Sequence, residues 1–378
     1  MQYFTLPRFL RGDKISSVKL TSPEFRARAA TRGLSEAGFS LVELMISGIL
    51  LSVLMGSVLM AVRMAGTVQN STQQGLELQQ NVRASISMIS RELLNAGSGL
   101  PYLAPISGNP AITVPSSARL GPLGASVGGN PVNFLTPRNQ TGQTVTQDGE
   151  GGTLATPIQT DILTFLGGQG DARFVLQTVP GPSANYGNII YLEDATGFSI
   201  GNMLLFTNGF QVSLAVVTGT VAGGGLVFNN GDSLQMNPTA SSGTPNPNAA
   251  SATQFPGGPP PQALPMASIS YFIDSTTDPV HPCLKRVSNN AGGAGAAVAV
   301  MDDIENLQVA YLVDQDANAT TPDVVLDAPT TAELTRVRGL TVSVTGRSKN
   351  RMQDVSFPDR HTRLTMNQTA FFRNNIRR

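Results

Sequence analysis

The 378-residue chain has one cysteine and no tryptophan, and these shortages limit how it can be stabilised and what it can bind. Cys283 has no partner within the chain, so an intrachain disulfide is excluded in any compartment. Aromatic residues make up only 6% of the chain, which disfavours a carbohydrate-binding platform built from exposed rings. The fold must therefore rely on packing, with a metal or neighbouring subunits as further sources of stability.

Motifs for catalysis or nucleotide binding are also scarce. The sequence has no H-E-x-x-H, no Walker A loop and no cysteine cluster. Residues 197–201 match the G-x-S-x-G nucleophile elbow, and His281 and His361 follow as potential bases. That elbow needs a strand before the serine and a helix after it, whereas residues 202–209 look like a strand and a turn. We therefore expect no enzyme activity and no small-molecule substrate.

Charge is sparse, at 13% of residues, and its formal total of zero conceals an uneven distribution. Residues 1–38 carry +4 and residues 336–378 carry +8, so residues 39–335 carry −12. A basic end and an acidic body favour head-to-tail contacts between subunits, and a solvated basic strand edge is an equally good interpretation. The basic stretch alone is weak grounds for nucleic-acid binding, so nucleic acid is not expected as a partner.

A long apolar run over residues 39–62 is the strongest feature present, and Glu43 is its only charge. As a helix, 24 residues extend about 36 Å, enough to cross the hydrocarbon core of a bilayer. The net positive flank before the run favours a cytoplasmic N-terminus and an exported C-terminal side. A carboxylate inside such a run is costly and indicates a partner or a function. An uncleaved signal anchor is the alternative from topology alone.

The junction between flank and run resembles the type IV pilin signature, in the order Gly38-Phe39-Ser40-Leu41-Val42-Glu43-Leu44-Met45. The resemblance implies cleavage after Gly38 by a prepilin peptidase and methylation of the new Phe39 amine. It also implies that Glu43 guides assembly into a filament. Residues 1–38 would then be a cytoplasmic leader that is removed.

Helical character continues beyond the apolar run, because no proline interrupts residues 39–100. A stripe of apolar residues at steps of three and four predicts an amphipathic second half, namely Leu78, Val82, Ile86, Ile89 and Leu93. The glycines at 97 and 99 and Pro101 predict the helix end, giving one helix over 39–97. Gly48, Ser52 and Gly56 form a small-xxx-small repeat that indicates either close helix packing or ordinary membrane-helix composition.

The remainder predicts a mainly antiparallel β region. Residues 101–158 read as a long irregular connection with short strands, and 219–262 reads as a low-complexity surface loop. We divide this part into a Gly/Pro-rich β region, 98–266, and a C-terminal β region, 267–378. Predicted strands lie at 158–166, 173–179, 188–193, 203–206, 210–217, 268–273 and 283–287, the last two as a pair.

The C-terminal region has a second, less specific resemblance to a known family. It contains in order Leu284-Lys285-Arg286, Ile304-Glu305-Asn306-Leu307-Gln308-Val309-Ala310-Tyr311, Asp314-Gln315-Asp316, Val337-Arg338-Gly339-Leu340-Thr341-Val342 and a closing strand at 363–372. This order is similar to PilW-type minor pilins. The similarity covers the N-terminal helix and about the last hundred residues.

Together the resemblances imply an α+β, pilin-like lollipop, with a long helix packed on an antiparallel sheet domain. They imply a minor pilin that primes or caps a type IV pilus, anchored in the bacterial inner membrane with its C-terminal domain in the periplasm and later placed near the pilus tip. Implied partners are minor and major pilins, prepilin peptidase, the inner-membrane assembly platform and lipid. A type II secretion minor pseudopilin and a membrane-anchored surface adhesin are the alternatives.

No cofactor is expected, with calcium as the one exception that the sequence suggests. Asp314, Asp316 and Asn318 have the one-three-five spacing of a calcium loop. Ala319 and Val325 then stand where the turn glycine and the bidentate glutamate belong. A calcium site completed by other carboxylates and a simple polar hairpin turn are the two interpretations.

Overall fold

A computed structural model describes most of the chain from Phe39 onward. The described residues are 39–97, 134–169, 173–174, 189–207, 212–229, 231–232, 234–237, 262–289, 296–316, 323–334, 336–351 and 359–372. The chain divides into two compact units, Met1–Val62 and Arg63–Arg378. Residues 1–38, which include the predicted leader and Gly38, lie outside the described part.

One long helix, α1, spans Leu41–Leu93 and contains 53 residues. Its length agrees with the absence of proline, and the predicted helix is confirmed to within a few residues at each end. After the last turn, Gly97 adopts a φ of 71°, the left-handed conformation that glycine takes up without a Cβ clash. The Gly97 amide then donates to the carbonyl of Leu166, 2.8 Å away, so the chain leaves the helix bonded to a strand.

Burial changes along α1 as the sequence pattern predicts. Every residue from 39 to 62 is exposed. Further along, the predicted stripe is buried, with exposures between 0% and 6% for Leu78, Val82, Ile86, Ile89 and Leu93. These side chains belong to one core with residues of two sheets.

All strand pairs among the described residues are antiparallel. The strands are β1 Leu135–Arg138, β2 Val145–Gln147, β3 Thr153–Ile158, β4 Ile162–Gly168, β5 Arg173–Phe174, β6 Ile189–Tyr191, β7 Met203–Thr207, β8 Val212–Val216, β9 Gly219–Val221, β10 Gly225–Val227, β11 Gln262–Asp274, β12 Cys283–Asn289, β13 Val298–Asp302, β14 Ile304–Val313, β15 Val324–Leu326, β16 Val337–Arg347 and β17 Arg363–Phe371. A four-residue helix, α2, occupies Thr331–Leu334.

The largest sheet has eight strands and is organised around the 13-residue strand β11. The C-terminal half of β11 pairs with β4 and β12, which confirms the predicted pairing of 268–273 with 283–287. Its N-terminal part pairs with β5 and β7, and β8 extends the sheet from β7. One strand thus serves two neighbouring parts of the fold.

A four-stranded sheet in the order β15-β14-β16-β17 completes the main core. In β14 and β16 buried residues alternate with partly exposed ones, as expected for strands with one face on a core. Asp161, just before β4, connects the two large sheets: its amide donates to the Leu307 carbonyl, and its carboxylate accepts from the Val309 amide at 2.8 Å. This polar junction interrupts the strand predicted at 158–166, which forms β3 and β4 instead.

Two further apolar clusters surround the β7–β8 pair and the small sheet β6-β10-β9, beside the N-terminal part of β11. Both faces of β7 are buried: Met203 and Leu205 in one cluster, Leu204 and Phe206 in another. The prediction of a loop throughout 219–262 is wrong at its start, where β9 and β10 form a hairpin. Its glycines at 223 and 224 have φ of 85° and 80°, so residues that looked like low complexity form a tight turn.

Candidate functional site

The apolar first half of α1 is the first candidate site. No described residue covers its large side chains: Leu41 is 76% exposed, and Phe39, just before the helix, is 80% exposed. The helix has a mean hydropathy of 2.3 over its most apolar window, so by length and composition it can cross a membrane. A contiguous apolar surface of this kind marks a site for lipid or a partner. Glu43 lies in its first turn, exposed beside these side chains.

The small-residue repeat forms an open row on this segment. A Cβ built at Gly48 or Gly56 would meet no atom within 4 Å, and the Ser52 hydroxyl donates to the Ile49 carbonyl at 2.7 Å. Because the hydroxyl is satisfied within its own helix, the row presents only backbone and small groups to a partner helix.

The structure places Asp314, one of the predicted calcium ligands, in an ion pair. The Asp314 carboxylate accepts from the Arg338 guanidinium, whose other terminal nitrogen lies 3.5 Å from Asp323. Asn318 lies outside the described residues, as do the others from 317 to 322. Within the described part of the chain, no three His, Cys, Asp or Glu side chains are arranged to hold a metal ion. Calcium at Asp314 would have to compete with a guanidinium, and the site stays a prediction.

The G-x-S-x-G match lies in a turn and lacks the context of a nucleophile elbow. The Ser199 amide donates to the Asn202 side chain at 2.7 Å, and β7 rather than a helix follows. His281 pairs with Asp303, and His361 is fully buried with Nδ1 2.8 Å from the Ser348 carbonyl. The segment therefore gives no support for an esterase.

A cavity of about 660 Å³ with many charged and polar residues in its lining lies in the unit Arg63–Arg378, and the sequence did not predict it. One wall is the α1 face that carries Gln74, Glu77 and Asn81. The other comes from the end of β11, from β12 and β13 with the turns that flank them, and from the end of β16 with the residues after it. The only sequence signal was the concentration of charge between residues 274 and 303. These residues come together only when strands pair across loops, and residue spacing in the sequence does not reveal those pairings.

An ion pair and a histidine–carboxylate contact line this cavity. Lys285 donates to Asp274, and His281 Nδ1 lies 2.7 Å from Asp303. Burial raises the pKa of Asp274, but hydrogen bonds from Lys285 and from two threonine hydroxyls outweigh burial and hold that pKa well below its usual range. Asp303 has a φ of 60°, unusual for a residue with a side chain, so the backbone is constrained where the carboxylate meets His281.

Cys283 lies on the same wall, 9% exposed. Burial, and then the Asp302 carboxylate, raise the pKa of its thiol to about 11. A nucleophilic cysteine needs a lowered pKa, because the thiolate is the reactive form. Cys283 and the His281–Asp303 pair share a cavity but do not form an activated nucleophile.

A buried ionic cluster adjoins the cavity through Arg347. Glu305 is 1% exposed and accepts from Arg363 Nε at 2.6 Å, while Arg347 lies 3.5 Å from its other oxygen. Arg347 also donates to the carbonyls of Gln147 and Val280. Burial raises the pKa of Glu305, and both arginines oppose that shift. The cluster joins β14, β16 and β17 to the β2–β3 hairpin and is structural.

The fold and these sites define an α+β protein with one long helix, apolar and uncovered at its beginning, and a mostly antiparallel β region. Comparison with family models, with curated proteins and with solved structures finds no match for the chain.

Proposed function

We propose that this protein is a minor subunit of a type IV pilus, anchored by residues 39–62 in the bacterial inner membrane before assembly. The observation that carries the proposal is the division of α1. Residues 39–62 are all exposed and mostly apolar, with Glu43 as the only charge, whereas the second half of the helix buries a stripe in the core of a β region. A helix that only anchors needs no carboxylate at its start, since the charge is costly there.

In the proposed mechanism, prepilin peptidase cleaves after Gly38 and exposes the amine of Phe39, which is then methylated. The apolar half moves from lipid into the filament interior, and the row Gly48, Ser52 and Gly56 allows a neighbouring helix close approach. The Glu43 carboxylate pairs with the amine of an adjacent subunit. In a low-dielectric environment a paired carboxylate is stabilised and an unpaired one is strongly destabilised. Glu43 therefore fixes the axial register of the subunits, because only the correct register pairs it.

The first test is intact-mass and N-terminal peptide measurement on protein from native membranes. We expect a chain that begins at methylated Phe39. Retention of residues 1–38 would refute the proposal and favour an anchored adhesin. A second observation separates the two filament systems. If the chain is mature, and deletion of its gene abolishes protein export but leaves pili, the subunit belongs to a type II secretion pseudopilus instead.

Glu43 has its own test. Glu43→Ala and Glu43→Gln should leave cleavage intact and lower incorporation into sheared filaments by at least about tenfold, because each leaves the partner amine unpaired. Val42→Ala, which removes neighbouring apolar surface but no charge, is the matched control and should incorporate almost normally. Normal incorporation of both Glu43 variants would remove the register role.

A further inference from the structure

The strand β17 is a long edge of the four-stranded sheet. Among the described strands it pairs only with β16, and that pairing covers nine residues without a register shift. From Leu364 to Phe371 the strand has no charged side chain and no proline. Thr365, Asn367 and Thr369 are exposed along it. A regular, uncharged edge of this kind is able to accept a further strand.

The other edge strands in the described part of the chain are all blocked or short. A proline interrupts β1 and another interrupts β3, and the pairing of β13 with β12 contains a bulge. The edge of β8 is covered by the Asn237 side chain, which bonds both the amide and the carbonyl of Val216. The strands β2, β5, β6, β9 and β15 have two or three residues each. Of the described edges, β17 therefore stands out as long and without the features that block strand addition.

The hydrogen bonds at the two ends of β17 show which of its backbone groups face the open edge. The Ser348 amide donates to the Thr362 carbonyl at 2.8 Å, and the Phe372 amide donates to the Arg338 carbonyl at 3.0 Å. In an antiparallel ladder alternate residues bond to the same neighbour, so the even-numbered residues of β17 bond to β16. The odd-numbered residues from 365 to 371 therefore direct their N–H and C=O groups to the open edge.

We propose that β17 pairs with β17 of a second copy of this chain, as antiparallel strands centred on Asn367. In that register Thr365 lies opposite Thr369 of the second copy. Arg363 lies opposite Phe371 of the second copy, so no like charges face each other. Parallel pairing in register would instead set the two copies of Arg363 against each other, which is destabilising.

Threonine pairs of the same kind already exist within the sheet. The Oγ1 atoms of Thr345 and Thr365 are 2.8 Å apart, and those of Thr341 and Thr369 are 2.9 Å apart. Cross-strand threonine pairs stabilise a sheet. The proposed contact would repeat this pairing between the two copies, so β17 is complementary to itself.

The proposed contact is large enough for a pair of copies. The odd-numbered residues 365, 367 and 369 and their counterparts would exchange about six backbone hydrogen bonds. A typical protein interface has about 5 to 15 direct hydrogen bonds. Because the same surface is used on both sides, the contact closes with two copies and does not itself extend a filament.

Disulfide trapping of the full-length protein in detergent tests the register. In a Cys283→Ser background, Asn367→Cys should link to itself, because the Cα atoms of a hydrogen-bonded antiparallel pair are about 5.5 Å apart, within the range for disulfides. Thr365→Cys alone is the matched control, since its two copies would lie four residue steps apart, about 13 Å. Differently tagged Thr365→Cys and Thr369→Cys proteins should link when mixed. Self-linking of Thr365→Cys as efficient as that of Asn367→Cys would overturn the proposal.

A charge variant supplies the second arm. Asn367→Lys sets two lysines opposite each other, so it should raise the Kd of the dimer about tenfold or more at low salt, and high salt should reverse part of that loss. Val325→Lys, at a site of 58% exposure on β15, is the control and should leave the Kd unchanged. Analytical ultracentrifugation in detergent measures both.

The same measurement identifies other modes of association. Dimers formed through residues 39–62 would not respond to residue 367, so an unchanged Kd in Asn367→Lys would refute the proposal. A wild-type protein that stays monomeric, as expected if β17 receives a strand of a different protein, would refute it too. The contact goes beyond the pilus assignment, and its failure would leave cleavage after Gly38 and the Glu43 result untouched.

Discussion

His361 shows how tightly single residues are fitted in the β region. Its imidazole is fully buried, and the turn of the β2–β3 hairpin lies directly against it. A Cβ at Gly149 would stand 2.3 Å from His361 Cε1, closer than real atoms approach. Glycine is required at this position by the ring beside it.

Gly149→Ala should therefore lower the free energy of unfolding by about 1–3 kcal/mol, the usual cost of overpacking a core. Gly75→Ala is the matched control, because a Cβ there meets nothing within 4 Å and alanine favours the helix by up to about 1 kcal/mol. Urea unfolding of the full-length protein in detergent, followed by circular dichroism, measures both. Equal stability of the two variants would contradict the packing described for His361.

The thiol of Cys283 provides a second prediction at this scale. With its pKa raised to about 11 by burial and Asp302, its reaction with a disulfide reagent should be slow at pH 8 and should accelerate up to about pH 11. Asp302→Asn should lower that pKa and speed the reaction at pH 8, because a negative neighbour is removed. Stopped-flow absorbance over this pH range gives the pKa of the thiol in the wild type and in Asp302→Asn. A rate that levels off near pH 8.5, the value for a free thiol, would show the thiol to be unperturbed.

At the scale of secondary structure, α1 carries buried and exposed apolar side chains whose contributions to stability can be compared directly. Ile89 is 0% exposed in the core, whereas Leu76 is 55% exposed on the same helix. Ile89→Ala should cost about 2–5 kcal/mol, and Leu76→Ala should change stability by no more than about 0.5 kcal/mol. Urea unfolding distinguishes them, and similar losses would mean that Leu76 is covered in the folded protein.

The sequence was most informative where periodicity is long and local. The α1 stripe from Leu78 to Leu93 was predicted completely, since a helix brings residues three and four apart onto one face regardless of the rest of the fold. The pairing of β11 with β12 was also predictable from two nearby alternating segments. The division of the predicted strand 158–166 into β3 and β4 was not predictable. Asp161 interrupts that strand, and its carboxylate accepts a hydrogen bond from the amide of Val309, 148 positions away.

The predicted sites were less accessible to such reasoning. Glu43 and its neighbours form a local motif and could be named from spacing. The pairing of Asp314 with Arg338 joins β14 to β16, so a local reading could only suggest a turn or a calcium loop. The cavity required the convergence of α1 with the ends of several strands, and the positions of Glu77 and Asp302 in sequence give no sign that they face the same space.

The whole molecule should lose stability in acid, and Asp274 should contribute to that loss. Its pKa is lower in the folded chain than the unfolded value of about 3.9, so its stabilisation is complete above about pH 5 and disappears as pH falls through the lowered pKa. Asp274→Asn should cost about 1.5–3 kcal/mol at pH 7, the range for hydrogen bonds to charged groups. The difference between the two proteins should shrink as the pH approaches 2.

Urea unfolding at pH 7, 4 and 2.5 measures this convergence. Glu193→Gln, which changes an exposed carboxylate away from Asp274, shows how much of the pH effect is general. A gap between wild type and Asp274→Asn that stays constant down to pH 2.5 would mean that Lys285 does not stabilise the charged form of Asp274.

The central position of β11 has a consequence for the order in which the chain can fold. Strand β4 emerges about a hundred residues before β11, its partner in the middle of the sheet, and β7 emerges about sixty residues before it. A chain that is translocated from its N-terminus therefore holds two apolar strands with incomplete pairing until residue 274 has crossed. Exposed strand edges at this stage invite wrong pairing. In the proposed export, the chain would therefore depend on rapid arrival of its own later residues, or on a chaperone that holds it, while β4 and β7 lack their partner strand.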